Sequence, residues 1–184
     1  MNALLVYCWG GNASGELGDR TDSTRRAPVL VRDTVEWLDV TAGTNHTCGR
    51  ALDQSARCWG KNDHGQLGTG QADSLARHPV VVTGGHSWIM LAAGGAHTCG
   101  IAADSLAYCW GSDSTGQLGD SAFTDRAAPV AVYGGIHFAW LSAGDHHTCG
   151  FSTSGAVYCW GDNSDGQVGD RTTAHRPAPV LVMP

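Results

Sequence analysis

Two residue types in this chain stand at spacings suited to chemistry. Among nine histidines, His46, His97 and His147 each open a His-Thr-Cys-Gly tetrad, and the last is preceded by Asp145 and His146. Three imidazoles are the ligand set of several hydrolytic zinc centres, which keep a fourth position open for water. Zinc held there would lower the pKa of that water toward roughly 7 and supply a hydroxide at neutral pH. Asp145 and His146 would be the nearest groups to orient the water or take its proton. The opposing expectation is architectural: residues that recur once per repeat usually serve the repeat itself, each imidazole bonding a neighbouring backbone group.

Cysteine is the second type. Six of the seven cysteines form pairs ten residues apart, Cys48 with Cys58, Cys99 with Cys109, and Cys149 with Cys159. If each pair lies on the two arms of a hairpin, the partners face one another at roughly 4.5 to 5.5 Å between Cβ atoms, close to what a disulfide needs. Three readings follow: one disulfide per unit in an oxidising compartment, reduced cysteine acting as a small apolar residue, or zinc held by sets such as His46, Cys48 and Cys58. Cys8 has no partner at that spacing, as though its strand neighbour lay outside the chain.

These residues are positioned by a repeat. Cys-Trp-Gly occurs at 8–10, 58–60, 109–111 and 159–161, and glycine follows each tryptophan by six residues, opening Gly-Glu-Leu-Gly, Gly-Gln-Leu-Gly twice and Gly-Gln-Val-Gly. Pro-Val-x-Val runs end at Val31, Val82, Val132 and Val182, and an Ala-Gly-x-x-His-Thr-Cys-Gly block fills 42–49, 93–100 and 143–150. A period near fifty residues marks a repeat architecture. Each unit reads as four short strands, A to D. Strand A is an apolar run at 37–42, 88–93 and 138–143 with the character of a strand buried on both faces. B starts at the histidine, C ends in Cys-Trp-Gly, and D is the valine run, whose proline suits a sheet edge. Asn12, Asn62, Asp113 and Asn163 head the long C-to-D loops, where asparagine and glycine are expected at positive φ. The tryptophans read as packing between units rather than as a ligand cluster.

Composition agrees with an all-β chain. Glycine supplies 26 of 184 residues, and one lysine and two glutamates leave no long helix of the Ala/Glu/Lys type. A net charge of -6 argues against nucleic acid as a partner, and the absence of a long apolar run argues against a membrane span. No Gly-Lys-Ser/Thr loop, Gly-x-Ser-x-Gly elbow or His-Glu-x-x-His helix is present.

Four strands per unit at this spacing fit a β-propeller blade with strand A nearest the axis. The combination Cys-Trp-Gly-x-Asn-x-x-Gly-Gln-Leu-Gly, Pro-Val-x-Val and Ala-Gly-x-x-His-Thr closely resembles the regulator of chromosome condensation repeat family. That resemblance implies a closed propeller, commonly of seven blades. Residues 1–184 supply about 3.5, a half blade of strands C and D at 5–31 and blades at 37–82, 88–132 and 138–182. An arc with uncovered flanks is expected to self-associate, as a homodimer or other homo-oligomer, or to be a piece of a longer propeller. Family members act as exchange factors for a small GTPase, as interaction platforms, or as secreted bacterial inhibitors. The half-size ring and cysteine-bearing repeats depart from the exchange-factor branch, which leaves a secreted or surface-associated bacterial interaction module with a protein partner, extracellular or periplasmic. The alternative is a zinc-dependent hydrolase of small esters or phosphoesters built on the histidines.

Overall fold

The computed structural model describes residues 5–73 and 75–183. Among the described residues fourteen strands form one hairpin and three four-stranded antiparallel sheets. The hairpin pairs β1 (Tyr7–Gly10) with β2 (Arg25–Leu30). The sheets are β3 (Trp37–Ala42), β4 (His46–Ala51), β5 (Ala56–Lys61) and β6 (Leu75–Val81); β7 (Trp88–Ala93), β8 (His97–Ala102), β9 (Ala107–Gly111) and β10 (Arg126–Ala131); and β11 (Phe138–Ala143), β12 (His147–Ser152), β13 (Val157–Gly161) and β14 (Arg176–Leu181). Within each sheet the strands pair in sequence order. The innermost strands abut, β3 against β7 and β7 against β11, so the blades fan around a common axis.

Register follows from the repeated residues. Cys48 faces Cys58, Cys99 faces Cys109 and Cys149 faces Cys159, and each pair is a disulfide. Closing a loop of about ten residues contributes on the order of 2 to 3 kcal/mol per bridge in the chain-entropy model. With their sulfurs joined, these cysteines are not zinc ligands, so the His46, Cys48, Cys58 set is excluded. Cys8 is free and half-buried, and burial pushes its thiol pKa up.

Two expectations about strands are corrected. The outermost strands begin before the valine runs, at Arg25, Leu75, Arg126 and Arg176, and each proline lies in an irregular stretch of the pairing, as at Pro28 between the Gly10–Arg25 and Cys8–Val29 pairs. A bulge on an edge strand accepts a residue that cannot donate to the ladder. Strand A is buried on both faces only where a blade stands on either side. β7 meets the expectation apart from Ile89, in the bulge between the Trp88 and Met90 pairs, whereas Val40 of β3 is 42% exposed and Trp140 of β11 is 52% exposed. Successive side chains point to opposite faces, and in β3 and β11 one of those faces lacks a complete neighbouring blade.

Candidate functional site

The chemistry-bearing residues converge at the junctions between blades. The first two full blades each turn their disulfide toward the next blade, which covers it with aromatic residues. Cys48, Cys58, Leu67 and Val82 pack against Trp88, Leu91 and Trp110; Cys99, Cys109, Ile101 and Val132 pack against Phe138, Leu141 and Trp160. The Cys-Trp-Gly indoles of the three full blades sit in seats provided by the preceding loop. Trp59 Nε1 donates to the Glu16 carbonyl, Trp110 to that of Gln66 and Trp160 to that of Gln117, each at 2.9 Å. The floor of each seat is a glycine, Gly18, Gly68 or Gly119, with φ between +68° and +73°. A Cβ there would come within 2.9 Å of the indole nitrogen, so both backbone conformation and space demand glycine.

His46 and His97 belong to the same junctions. Thr98 Oγ1 donates to the Gln66 carbonyl at 3.0 Å and so has only lone pairs left for His46 Nε2, 2.8 Å away. Thr148 stands likewise between the Gln117 carbonyl and His97 Nε2, at 3.0 and 2.9 Å. The imidazole must therefore carry its proton on Nε2 and act as donor. His46 and His97 are fully buried, and their Nδ1 atoms have no hydrogen-bond partner among the described residues. Desolvation lowers the His46 pKa to about 4, and desolvation aided by His46, His146 and His147 lowers that of His97 to about 3.

His46 and His97 each commit Nε2 to a threonine hydroxyl of the next blade, which leaves Nδ1 as the nitrogen with a free lone pair, while the ring of His147 makes no hydrogen bond among the described residues. Among the described residues no group of three or more His, Cys, Asp or Glu is placed to hold a metal ion. His147 is only half-buried. Asp145 and His146 lie exposed on the adjoining turn, 3.5 Å apart, rather than with His46 and His97. Sequence reasoning missed the threonines, whose signal was their recurrence after all three histidines.

The long loops after β1, β5, β9 and β13 share a buried clamp. Asn12, Asn62, Asp113 and Asn163 are fully buried, and each side-chain oxygen accepts the backbone N–H of the residue five positions on, at 2.9 to 3.0 Å. Asn12 and Asn163 also donate from Nδ2 across the loop, to Asp19 and Asp170 and to the carbonyls at 21 and 23 and at 172 and 174. None of the four has positive φ, which corrects the expectation for asparagine; the glycines, Gly15 and Gly18 among them, do. Asp113 lacks the amide donor, and burial, with Asp120 and Asp125 nearby, raises its pKa to about 7.

Above these clamps the loop tips are exposed or half-exposed and differ from blade to blade: Ala13-Ser14, Asp63-His64, Ser114-Thr115 and Ser164-Asp165. The turns at 43–45, 94–96 and 144–146 lie on the same side of the arc and bound a shallow pocket of about 350 Å³ lined by Gly43, Thr44, Gly94, Gly95, Gly144 and Asp145. Asp22, Asp63, Asp73, Asp125, Asp145 and Asp165 are exposed on this face. Part of that charge is paired, Lys61 with Asp63 at 2.8 Å, His64 with Asp125 at 2.7 Å and Arg77 with Asp22 at 3.3 Å.

Comparison with known proteins agrees with this geometry. Models of the regulator of chromosome condensation (RCC1) repeat match residues 5–49, 58–101 and 104–151, and a second form of the repeat matches 37–66 and 141–167. The human probable E3 ubiquitin-protein ligase HERC6 is 31% identical over 118 residues, and the Arabidopsis thaliana ultraviolet-B receptor UVR8 is 32% identical over 128 residues. These alignments cover 61% and 68% of the chain but only 12% and 29% of those proteins. Among solved structures, human WBSCR16 superposes with a TM-score of 0.89 at 18% identity, covering all of this chain and 50% of that one. Yeast RCC1 (Prp20), solved bound to Kap60, superposes at 0.85 and 19% identity, covering 98% of this chain and 45% of that one. With the repeat model matching most of its length and the blades in place, the chain belongs to the RCC1 repeat family.

Proposed function

We propose that this partial propeller is a protein-binding module that presents its loop face to a partner. The observation that carries the reading is the construction of the loops: a repeated buried clamp at Asn12, Asn62, Asp113 and Asn163 holds each loop in shape, while the exposed tips above it differ. A rigid scaffold with variable surface residues is how binding surfaces are commonly built. The exposed aspartates and the net charge of -6 favour a partner with a basic surface. Propellers of this fold engage proteins, as yeast RCC1 does Kap60. Three disulfides favour an oxidising compartment, extracellular or periplasmic.

The test compares immobilised wild type with a loop-face variant, Asp63→Lys, Asp145→Lys and Asp165→Lys together, and with Glu36→Lys on the opposite face. Proteins retained from the extracellular fraction of the source are identified by mass spectrometry. Retention by wild type and by Glu36→Lys, with loss in the triple variant, is expected. Equal retention by the triple variant would remove the loop face as the binding surface.

A further inference from the structure

Two of the five asparagines open an Asn-x-Ser/Thr triad with no proline at its centre, Asn12-Ala13-Ser14 and Asn45-His46-Thr47. Such a triad is the acceptor of Asn-linked glycosylation, a bulky modification that a folded protein carries only where the asparagine reaches the surface. The two triads are opposites in this respect. Asn12 is fully buried, and its Nδ2 donates to Asp19 and to the Thr21 and Ser23 carbonyls, so a sugar on that nitrogen would have no room and would cost the first loop its clamp. Asn45 is exposed on the turn between β3 and β4, and its side chain makes no hydrogen bond among the described residues.

The turn itself does not call for asparagine. Its structural part is played by the main chain: the carbonyls of Asn45, Ala96 and His146, one per blade, accept the N–H groups of Lys61, Ser112 and Asp162 at 2.8 to 2.9 Å. Alanine and histidine serve equally at that place, and neither opens a triad. The threonine is different, since it recurs in all three blades and Thr47 Oγ1 donates to the Glu16 carbonyl at 2.8 Å. With that hydroxyl engaged and His46 buried in the folded blade, a transferase can read the triad only before folding. Chain order allows it: the disulfide partner of Cys48 lies ten residues further on, and the hydrogen-bond partner of His46 lies 52 residues further on. Until those segments follow, the triad is extended and unengaged.

We infer that Asn45 is an acceptor site for an Asn-linked glycan and that Asn12 is not. Asn45 Nδ2 bonds the anomeric carbon of an oligosaccharide that a transferase delivers from a lipid diphosphate. The bond from that carbon to the diphosphate oxygen breaks, the lipid diphosphate leaves with the bonding electrons, and the displaced amide proton passes to a base of the transferase. The glycan then stands beside the shallow pocket that Gly43 and Thr44 help to line, as a solubilising cover on that turn. The inference rests on the oxidising compartment proposed above, which the three disulfides favour, and not on the loop-face reading.

The experiment recovers the full chain, wild type and Asn45→Gln, from cells and medium of its source with an antibody, thiols being blocked at lysis. Each sample is weighed intact, then treated with a peptide N-glycosidase in heavy-oxygen water, which turns a glycan-bearing asparagine into labelled aspartate. Wild type is expected to carry the mass of one glycan, with the label at residue 45, unlabelled Asn12 and three disulfides. Asn45→Gln should lose the whole increment and keep the disulfides. Disulfides present with Asn45 unlabelled would overturn the inference and leave the compartment reading standing. Free thiols at Cys48 and Cys58 would overturn the compartment reading and this inference together. Label at Asn12 in the folded protein, or an increment that survives in Asn45→Gln, would overturn the assignment to the exposed turn.

Discussion

His97 and His147 hold the same place in consecutive blades, one residue before the same threonine and two before the same cysteine. His97 is fully buried and bonds Thr148 of the next blade, whereas His147 is half-buried and has no hydrogen bond from its ring among the described residues. The residue, its register and its disulfide are alike; only the neighbouring blade differs. In a repeat protein the environment of a side chain is set as much by the adjoining unit as by its own. Here that unit decides whether an imidazole is a desolvated donor to the next blade or a half-exposed ring with no such partner.

The largest way to probe the contrast is through the staples. Replacing Cys99 and Cys109 together by alanine should lower unfolding free energy by about 2 to 3 kcal/mol, from the loop of about ten residues that the bridge closes. Cys8→Ala, at the half blade with no bridge to lose, should cost under about 1 kcal/mol. Urea unfolding of both variants measures the difference, and equal losses would mean that the bridge in the middle blade contributes nothing beyond packing.

Next in size are the histidines. His97→Ala removes the buried donor to Thr148 and should cost about 2 kcal/mol, against under about 0.5 kcal/mol for His147→Ala. The folded pKa values of His46 and His97, about 4 and 3, lie below the ordinary histidine value of 6.5. Between those limits the unfolded chain binds more protons, so the stability these residues contribute is whole above pH 6.5 and is lost as pH falls toward their folded values. Urea midpoints from pH 8 to pH 4 should therefore fall less steeply in His97→Ala than in wild type.

The smallest expected effect compares the loops. Asp113 stands where the other three loops have asparagine, and its folded pKa of about 7 lies above the ordinary carboxylate value of 3.8. The sign is opposite to that of the histidines: the folded state holds the extra proton, so Asp113 costs stability increasingly as pH rises from 3.8 to 7. Asp113→Asn should raise stability by about 1 kcal/mol at pH 8 and leave it unchanged near pH 4. The gain is modest because Asp113 Oδ2 now accepts the Thr124 N–H at 3.1 Å, a bond the amide nitrogen of asparagine cannot make without turning that peptide. A gain that persisted at pH 4 would mean the effect is not electrostatic.

What the sequence determined by itself is the blade. Cys-Trp-Gly and Pro-Val-x-Val in four copies and His-Thr-Cys-Gly in three, at a fifty-residue period, dictate strand order and register, because each copy solves the same local pairing problem. The disulfides were legible for the same reason: a hairpin register that sets Cys48 against Cys58 repeats wherever the spacing does. What only the tertiary structure decided lies between blades. The partner of His46 is Thr98, 52 residues away, and the seat of Trp110 is the Gln66 carbonyl, 44 residues away. Spacing within one copy carries no signal for such contacts, since they depend on which face each blade turns to the next. For that reason three evenly spaced histidines carry a metal-site reading along the chain, while in space the imidazoles of His46 and His97 are spent on joining each blade to the one beside it.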